Sequence, residues 1–251
     1  HRTLRGLWGT SDEDLFSVGD AGTILHFDGV AWHPMLSGRT EALNAVWGRS
    51  GADVYALGDS ILLHFDGSRW QVLPGVQVGG YALWGGPEGT LRVLNGDLLE
   101  FDGSSWADFS TETCGLNCPP GTPTVAALKL GWGDAGTKLF GANEDGTIRE
   151  GLLTAPDTLR WVDSKVLLPG PVRAIWGRSA SDVYVGGARG YYGPTIRTEI
   201  KHFDGSVWTT LDIPQPGAET HRAPVVFGIW GRGDRELFAV GDHGMIMHMQ
   251  R

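Results

Sequence analysis

The stretch AVWGRSGADVYALGDSILLHFDGSRW, Ala45 to Trp70, decides the fold, because its pattern returns along the whole 251-residue chain. Aligning the copies on a Trp-Gly pair gives six anchors, Trp8, Trp47, Trp84, Trp132, Trp176 and Trp230, spaced by 39, 37, 48, 44 and 54 residues. Within a copy, the run Asn44-Ala45-Val46-Trp47 alternates small and large residues, as a strand packed on both faces does. A polar turn over Arg49 to Ala52 precedes a β-branched and aromatic run, Asp53 to Leu57. A third run, Ile61 to Phe65, ends at Asp66-Gly67, and Trp70 opens a fourth. Four short apolar runs in a period near 40 describe a propeller blade, whereas helical repeats of that length carry a 3.6-residue periodicity that is missing here.

The turn residues repeat as well. Asp28-Gly29, Asp66-Gly67, Asp102-Gly103 and Asp204-Gly205 give a strong hairpin signal and predict type I′ turns with Asp-Gly at their centre. A closing Trp follows at Trp32, Trp70, Trp106 and Trp208, with Trp161 in the divergent fourth copy. After the second run stands Gly19, Gly58, Gly187 or Gly241, or Asn95 or Asn143, which predicts a left-handed residue there. The expected fold is all-β: a six-bladed β-propeller of four-stranded antiparallel blades forming a single domain over 1–251. The blades are placed at about 4–36, 43–74, 80–110, 126–163, 172–212 and 225–251. The sixth copy stops on its third strand, so an incomplete last blade is expected, with a fragment of a longer chain as the alternative.

The pattern W-G-x-S-x-x-D-V-Y-x-x-G…H-F-D-G-x-x-W resembles tryptophan-rich propeller repeats of bacterial secreted proteins and lipoproteins. Its second half is distantly similar to bacterial propeller lectins and to Asp-box repeats. The resemblance spans nearly the whole chain and implies the fold, with a cell-surface setting as its weaker implication.

Composition narrows the partners. With 29 acidic against 20 basic residues and a net charge of −9, the chain lacks the cationic face that nucleic acid or an anionic membrane requires. No apolar run reaches the length of a membrane span, so no membrane insertion is expected, and no signal peptide opens the sequence, which leaves removal of a leader open. Cys114 and Cys118, in CGLNC, are too few for a zinc site and mis-spaced for a C-x-x-C redox motif. A local disulfide is expected, which points to an extracellular, periplasmic or outer cell-surface location. No cofactor is called for.

Function is sought where copies differ. Three departures, the loops 109–126, 188–199 and 211–224, all fall on 4-to-1 or 2-to-3 connections, which emerge on one face of an up-and-down blade, here called the top. Variable loops on a rigid scaffold are where binding concentrates. The candidate ligand-binding residues are Arg189, Tyr191, Tyr192 and Arg197 from the copy-five loop, and Glu219, His221 and Arg222 from the next. The leading reading is a non-catalytic extracellular or cell-surface binding propeller that engages a protein or polymer, with membership of a larger assembly left open. A glycan-binding, lectin-like propeller is the alternative. A glycoside-acting enzyme comes third, because Arg189, Arg197, Arg222, Tyr191 and Glu219 match no catalytic spacing.

Other motifs have structural readings. His26, His64, His202 and His248 belong to different blades and cannot converge on a metal, so hydrogen bonding within each blade is expected. Asp14, Asp53 and Asp182, after Ser11, Ser50 and Ser179, read as turn residues. Gly48-Arg49-Ser50-Gly51 lacks the second Gly of a nucleophile elbow. Arg232-Gly233-Asp234 occupies the turn slot that Arg49 and Arg178 fill elsewhere, and Asn143-Glu144-Asp145-Gly146 has too few ligands for a calcium loop. Three residues before each anchor stand Arg5, Asn44, Tyr81, Lys129, Arg173 and Phe227, a ring expected at the channel mouth with three cations suited to an anion.

Overall fold

The computed structural model describes residues 2–73, 79–86, 89–95, 97–111, 128, 130–134, 138–143, 145–154, 158–168, 170–189, 197–211, 213, 224–232 and 236–250. They form a six-bladed β-propeller whose sixth blade has three strands. Blade 1 is β1 (Leu4–Ser11), β2 (Asp14–Gly19), β3 (Thr23–Phe27) and β4 (Trp32–Met35); blade 2 is β5 (Leu43–Ser50), β6 (Asp53–Gly58), β7 (Leu62–Phe65) and β8 (Trp70–Val72). Blade 3 is β9 (Ala82–Gly85), β10 (Leu91–Asn95), β11 (Asp97–Phe101) and β12 (Trp106–Thr111); blade 4 is β13 (Leu130–Gly133), β14 (Lys138–Ala142), β15 (Thr147–Thr154) and β16 (Thr158–Leu167). Blade 5 is β17 (Val172–Ser179), β18 (Asp182–Arg189), β19 (Arg197–Phe203) and β20 (Trp208–Thr210), and blade 6 is β21 (Val226–Arg232), β22 (Glu236–Gly241) and β23 (Ile246–Gln250). Each blade is an antiparallel meander in chain order.

The Trp-Gly pair is the contact between blades. The rings of the first five anchor Trp residues lie over the Gly of the next blade's pair: a Cβ on Gly48 would come within 2.7 Å of Trp8, on Gly85 within 2.3 Å of Trp47, and on Gly133 within 2.9 Å of Trp84. The same holds for Gly177 and Gly231, each 2.8 Å from Trp132 and Trp176. Indole burial therefore requires that its neighbour carry no side chain. The sixth blade meets the first directly. A Cβ on Gly228 would lie 3.0 Å from the backbone N of Leu7, and the Arg232 guanidinium pairs with Asp12. Among the described residues, closure thus comes from inner-strand packing and an ion pair, without an exchanged strand.

The outer layer holds a departure from plain repetition. In blade 4 the closing Trp161 pairs with Gly151, the same register slot that Trp32 fills opposite Phe27. The Phe is replaced by Gly because the Trp161 ring covers it, 2.9 Å from where a Cβ would stand. The hairpin then runs three rungs further, to Thr154 opposite Thr158. That extension lets β16 pair in parallel with β12, Ser110 with Thr158 and Thr111 with Leu159, so blades 3 and 4 share one eight-stranded sheet.

Two turn predictions are corrected. Gly19, Gly58, Gly187 and Gly241 are not left-handed: Gly19 and Gly241 are extended, at φ −175° and −165°, and none of the four has positive φ. Their requirement is space. A Cβ at Gly19, Gly187 or Gly241 would lie 2.1 Å from the carbonyl oxygen of Thr3, Pro171 or Val225, and at Gly58 it would lie 2.7 Å from that of Ala42. The incoming 4-to-1 connection rests on bare backbone there. The Asp-Gly hairpins are not type I′ either, since only the glycines have positive φ, +90°, +88°, +103° and +95° at Gly29, Gly67, Gly103 and Gly205. The Asp stands at the first corner instead. Asp28 Oδ1, for example, accepts the N–H groups of Val30 and Ala31, both at 2.9 Å.

Candidate binding face and channel mouth

The strand-2-to-3 turns and the 4-to-1 connections do share one face, because they hydrogen-bond to each other. Gly22 N donates to Glu41 O at 2.7 Å, Gly80 N to Gly58 O at 3.0 Å, and Asp20 N to Thr3 O at 3.0 Å. The Asp after the glycine slot tightens this layer: Asp20 accepts from Thr3 N, Asp242 from Val225 N and Asp59 from the Asn44 amide. Burial pushes the Asp20 carboxyl up, but the Arg5 guanidinium and the Thr3 N–H outweigh it and hold it below the usual range.

On this face, the blade-5 hairpin differs from the others. In blade 1 the ladder between strands 2 and 3 ends at Gly19 opposite Thr23, and the same slot in blade 5 is Gly187 opposite Glu199. Blade 5 continues for two more rungs, Ala188 with Thr198 and Arg189 with Arg197. The hairpin is anchored at its base, where Ala188 and Thr198 are buried and the Thr198 hydroxyl donates to Pro224 O at 2.6 Å. It raises exposed Arg197 above the face. Arg189 stands opposite Arg197 in the ladder. Of the other candidate residues, Tyr191, Tyr192, Glu219, His221 and Arg222 lie outside the described residues, as do Cys114 and Cys118.

Beside this hairpin the channel opens. A cavity of about 250 Å³ is lined by Arg5, Asn44, Tyr81, Arg173 and Phe227, five of the six residues predicted to ring the mouth, with Asn143 among the rest. Lys129 lies outside the described residues. These side chains converge because each sits three positions before its anchor, at the top end of an inner strand. Below them a larger space, about 380 Å³, follows the inner strands and is walled by Gly6, Ala45, Gly131 and Ala174 among others. Arg5 is held by Asp20, with Nε to Oδ1 at 2.8 Å, and Asn44 donates to Asp59 at 2.8 Å and to Gly80 O at 3.1 Å.

Three of the four recurrent histidines bond within their blades, and the fourth, His248, stacks on Phe238 at 4.2 Å with its Nε2 3.9 Å from Glu236. His26, His64 and His202 meet Asp14, Asp53 and Asp182 through Nε2 at 2.7, 2.8 and 2.6 Å, and each imidazole stacks at 4.5 Å on the aromatic ring opposite it. Blade 4 keeps this pair with the charges exchanged, Lys138 against Glu150 at 3.0 Å, and blade 3 uses Arg92 against Glu100 at 2.6 Å. That exchange is what a structural pair tolerates and a repeated ligand site does not. Arg49 adds bonds to Asp53 and to the Tyr55 hydroxyl, both at 2.6 Å, and to Gly89 O in the next blade at 3.2 Å. Arg232 has the same place and pairs with Asp12, while Gly233 and Asp234 lie outside the described residues. The closing indoles Trp32, Trp70, Trp106 and Trp208 pack on the preceding Phe, at 5.3, 5.3, 5.0 and 5.1 Å between ring centroids, and Trp70 is buried. Among the described residues no group of three or more His, Cys, Asp and Glu could hold a metal.

No family model matches the chain, and no curated protein is similar to it. Solved structures are similar in fold. YCF48 from Cyanidioschyzon merolae matches with a TM-score of 0.66 at 11% identity, over 99% of this chain and 95% of that one. A structure titled "YCF48 bound to D1 peptide" matches at 0.56 and 14% identity, over 100% and 94%. The extracellular domain of the putative hybrid two-component system BT4673 from B. thetaiotaomicron matches at 0.66 and 9% identity, over 100% of this chain and 38% of that one. These likenesses establish a β-propeller and nothing narrower. No described helix is long and apolar enough to cross a membrane.

Proposed function

We propose that this chain is a non-catalytic binding propeller that engages a protein partner through its top face, at the cell surface or outside the cell. The observation that carries the reading is the blade-5 hairpin, two rungs longer than its blade-1 counterpart, beside an open mouth of about 250 Å³. A rigid ring with one built-up rim and a polar and aromatic hollow suits a polypeptide laid across the face. That a propeller of similar fold is described with a bound peptide supports this reading. The cell-surface setting rests on Cys114 and Cys118 as a local disulfide, which mass spectrometry of the unreduced chain would test.

The test is to pan a random peptide library and a glycan array on the immobilised chain, alongside Arg197→Ala and the double variant Tyr191→Ala with Tyr192→Ala. Selected peptides that lose binding to these variants support the reading. Peptides that bind all of them equally contradict it. Selective glycan binding lost in the same variants would make the face a lectin site, a reading favoured by Tyr81, which is 40% exposed, and Phe227 at the mouth.

A further inference from the structure

We propose that the outer edge of β23 in blade 6 takes an extended, Trp-led segment of a partner protein as a fourth strand; this rim surface is separate from the top face and does not rest on that reading. Every other blade has a fourth strand paired with its third, and among the described residues β23 pairs only with β22. In blade 2, Leu73 N donates to Leu62 O at 2.9 Å. Ile246 and His248 hold the register places of Leu62 and His64, so the alternation of an antiparallel ladder turns their N–H and C=O groups outward. Native sheets blunt such edges with proline, charge or short length. The other outer strands are blunted or paired: β4 contains Pro34, β8 and β20 are three residues long, and β12 and β16 pair with each other. β23 is five residues long, Ile246-Met247-His248-Met249-Gln250, with no Pro, Lys, Arg, Asp or Glu.

The recess selects the occupant. Blade 6 stops one strand short of its neighbours, about 4.8 Å, between β20 of blade 5 and β4 of blade 1. Two copies of the chain could not bring two recessed edges together past their flanking blades, whereas a single extended segment enters. The other blades define its chemistry. In four of them the residue that opens the fourth strand is a Trp packed on the Phe opposite it. That Trp also reaches the strand-2 ring of the preceding blade, Trp70 to Phe16 and Trp208 to Phe140, both at 6.4 Å between centroids. In blade 6 the place of the Phe is held by Met249, which packs against the apolar cluster that contains Tyr184, the strand-2 ring of blade 5. A flexible thioether closes over that cluster by itself and shifts to meet an incoming indole.

The probe is a fluorophore-labelled peptide of blade 2's own fourth strand, Gly67 to Leu73, titrated into the full chain by fluorescence anisotropy, with amide exchange of the chain followed by NMR. Saturable binding that slows exchange at Ile246 and His248 is expected, with at least about a tenfold loss when Trp70 of the peptide is replaced by Ala. N-methylation of the peptide at Gln71 or Leu73, whose N–H groups face the neighbouring strand, should abolish binding, and at Val72, whose N–H faces away, should leave it unchanged. In the chain, Ile246→Pro and Met249→Asp should each weaken the peptide at least about tenfold, while Leu152→Ser, at an exposed side chain of blade 4, should not. No saturable binding, binding indifferent to the site of N-methylation, or full binding to folded Ile246→Pro and Met249→Asp would overturn the proposal. Slow exchange at Ile246 and His248 in the free chain would overturn it too, assigning the edge to a second copy if it depends on concentration and showing the edge already covered if it does not.

Discussion

The indole of Trp47 lies against Gly85 of the next blade, so close that a Cβ on the glycine would stand 2.3 Å from Cζ2. Gly85→Ala should therefore force a blade-to-blade contact apart and cost about 1–3 kcal/mol. Trp47 is only half-buried, so Trp47→Ala should fall near about 3 kcal/mol, the low end for truncating a packed Trp. Urea unfolding of both variants checks this. Near-neutral values would mean that the Trp-Gly pair is not what joins the blades.

The exchanged pair in blade 4 offers a cleaner experiment. Lys138 and Glu150 occupy the places that Asp14 and His26 hold in blade 1. Lys138→Asp alone sets two acids together and should cost about 0.5–1 kcal/mol, because the pair is only partly exposed. Adding Glu150→His should recover most of that loss. A double-mutant cycle in urea reads the coupling, and additive values would show that the two residues do not act together.

The hairpin aspartates predict an acid limb. The backbone N–H groups of Ala31 and Val30 hold the Asp28 carboxyl down to about 2 from an ordinary 3.8, and those of Val207 and Ser206, with the Ser206 hydroxyl, do the same for Asp204. Asp66 and Asp102 are lowered by the same kinds of bond. A carboxyl depressed in the folded state contributes stability that is fully present above its unfolded value and is lost as pH falls through its folded value. Stability should thus decline as pH is lowered from 3.8 toward about 2. Asp28→Asn combined with Asp204→Asn should flatten that limb, as followed by thermal unfolding against pH, and an unchanged slope would remove these turns from the account.

Much of this was legible in the sequence because the repeat is written in packing residues. The anchors, the blade order and the slot of Trp161 could all be read from spacing, and the ring from Arg5 to Phe227 could be placed by counting back from each anchor. What stayed hidden was tertiary. Gly19 and Gly187 look like turn glycines from their neighbours, yet they are needed because Thr3 and Pro171 carbonyls press on them from another segment. The Asp of Asp-Gly could not reveal that its carboxylate takes the place of a backbone acceptor at the turn's corner. Nor could the fourth copy show that its longer hairpin would reach β12, since parallel pairing between blades leaves no local periodicity. At the candidate binding face, sequence difference located the blade-5 rim but gave no sign of its two added rungs.

The most direct test of the account is where a partner sits. Peptides selected on the intact chain should be measured by calorimetry against three variants: Arg197→Ala on the top, Tyr191→Ala with Tyr192→Ala in the loop that the sequence assigns to that face, and Val30→Ser with Val207→Ser on the exposed hairpin turns of the opposite face. The account predicts at least about a tenfold loss of affinity in both top-face variants and no change in the third. Loss confined to the Val30 and Val207 variant, with the top-face variants binding as the intact chain does, would contradict it.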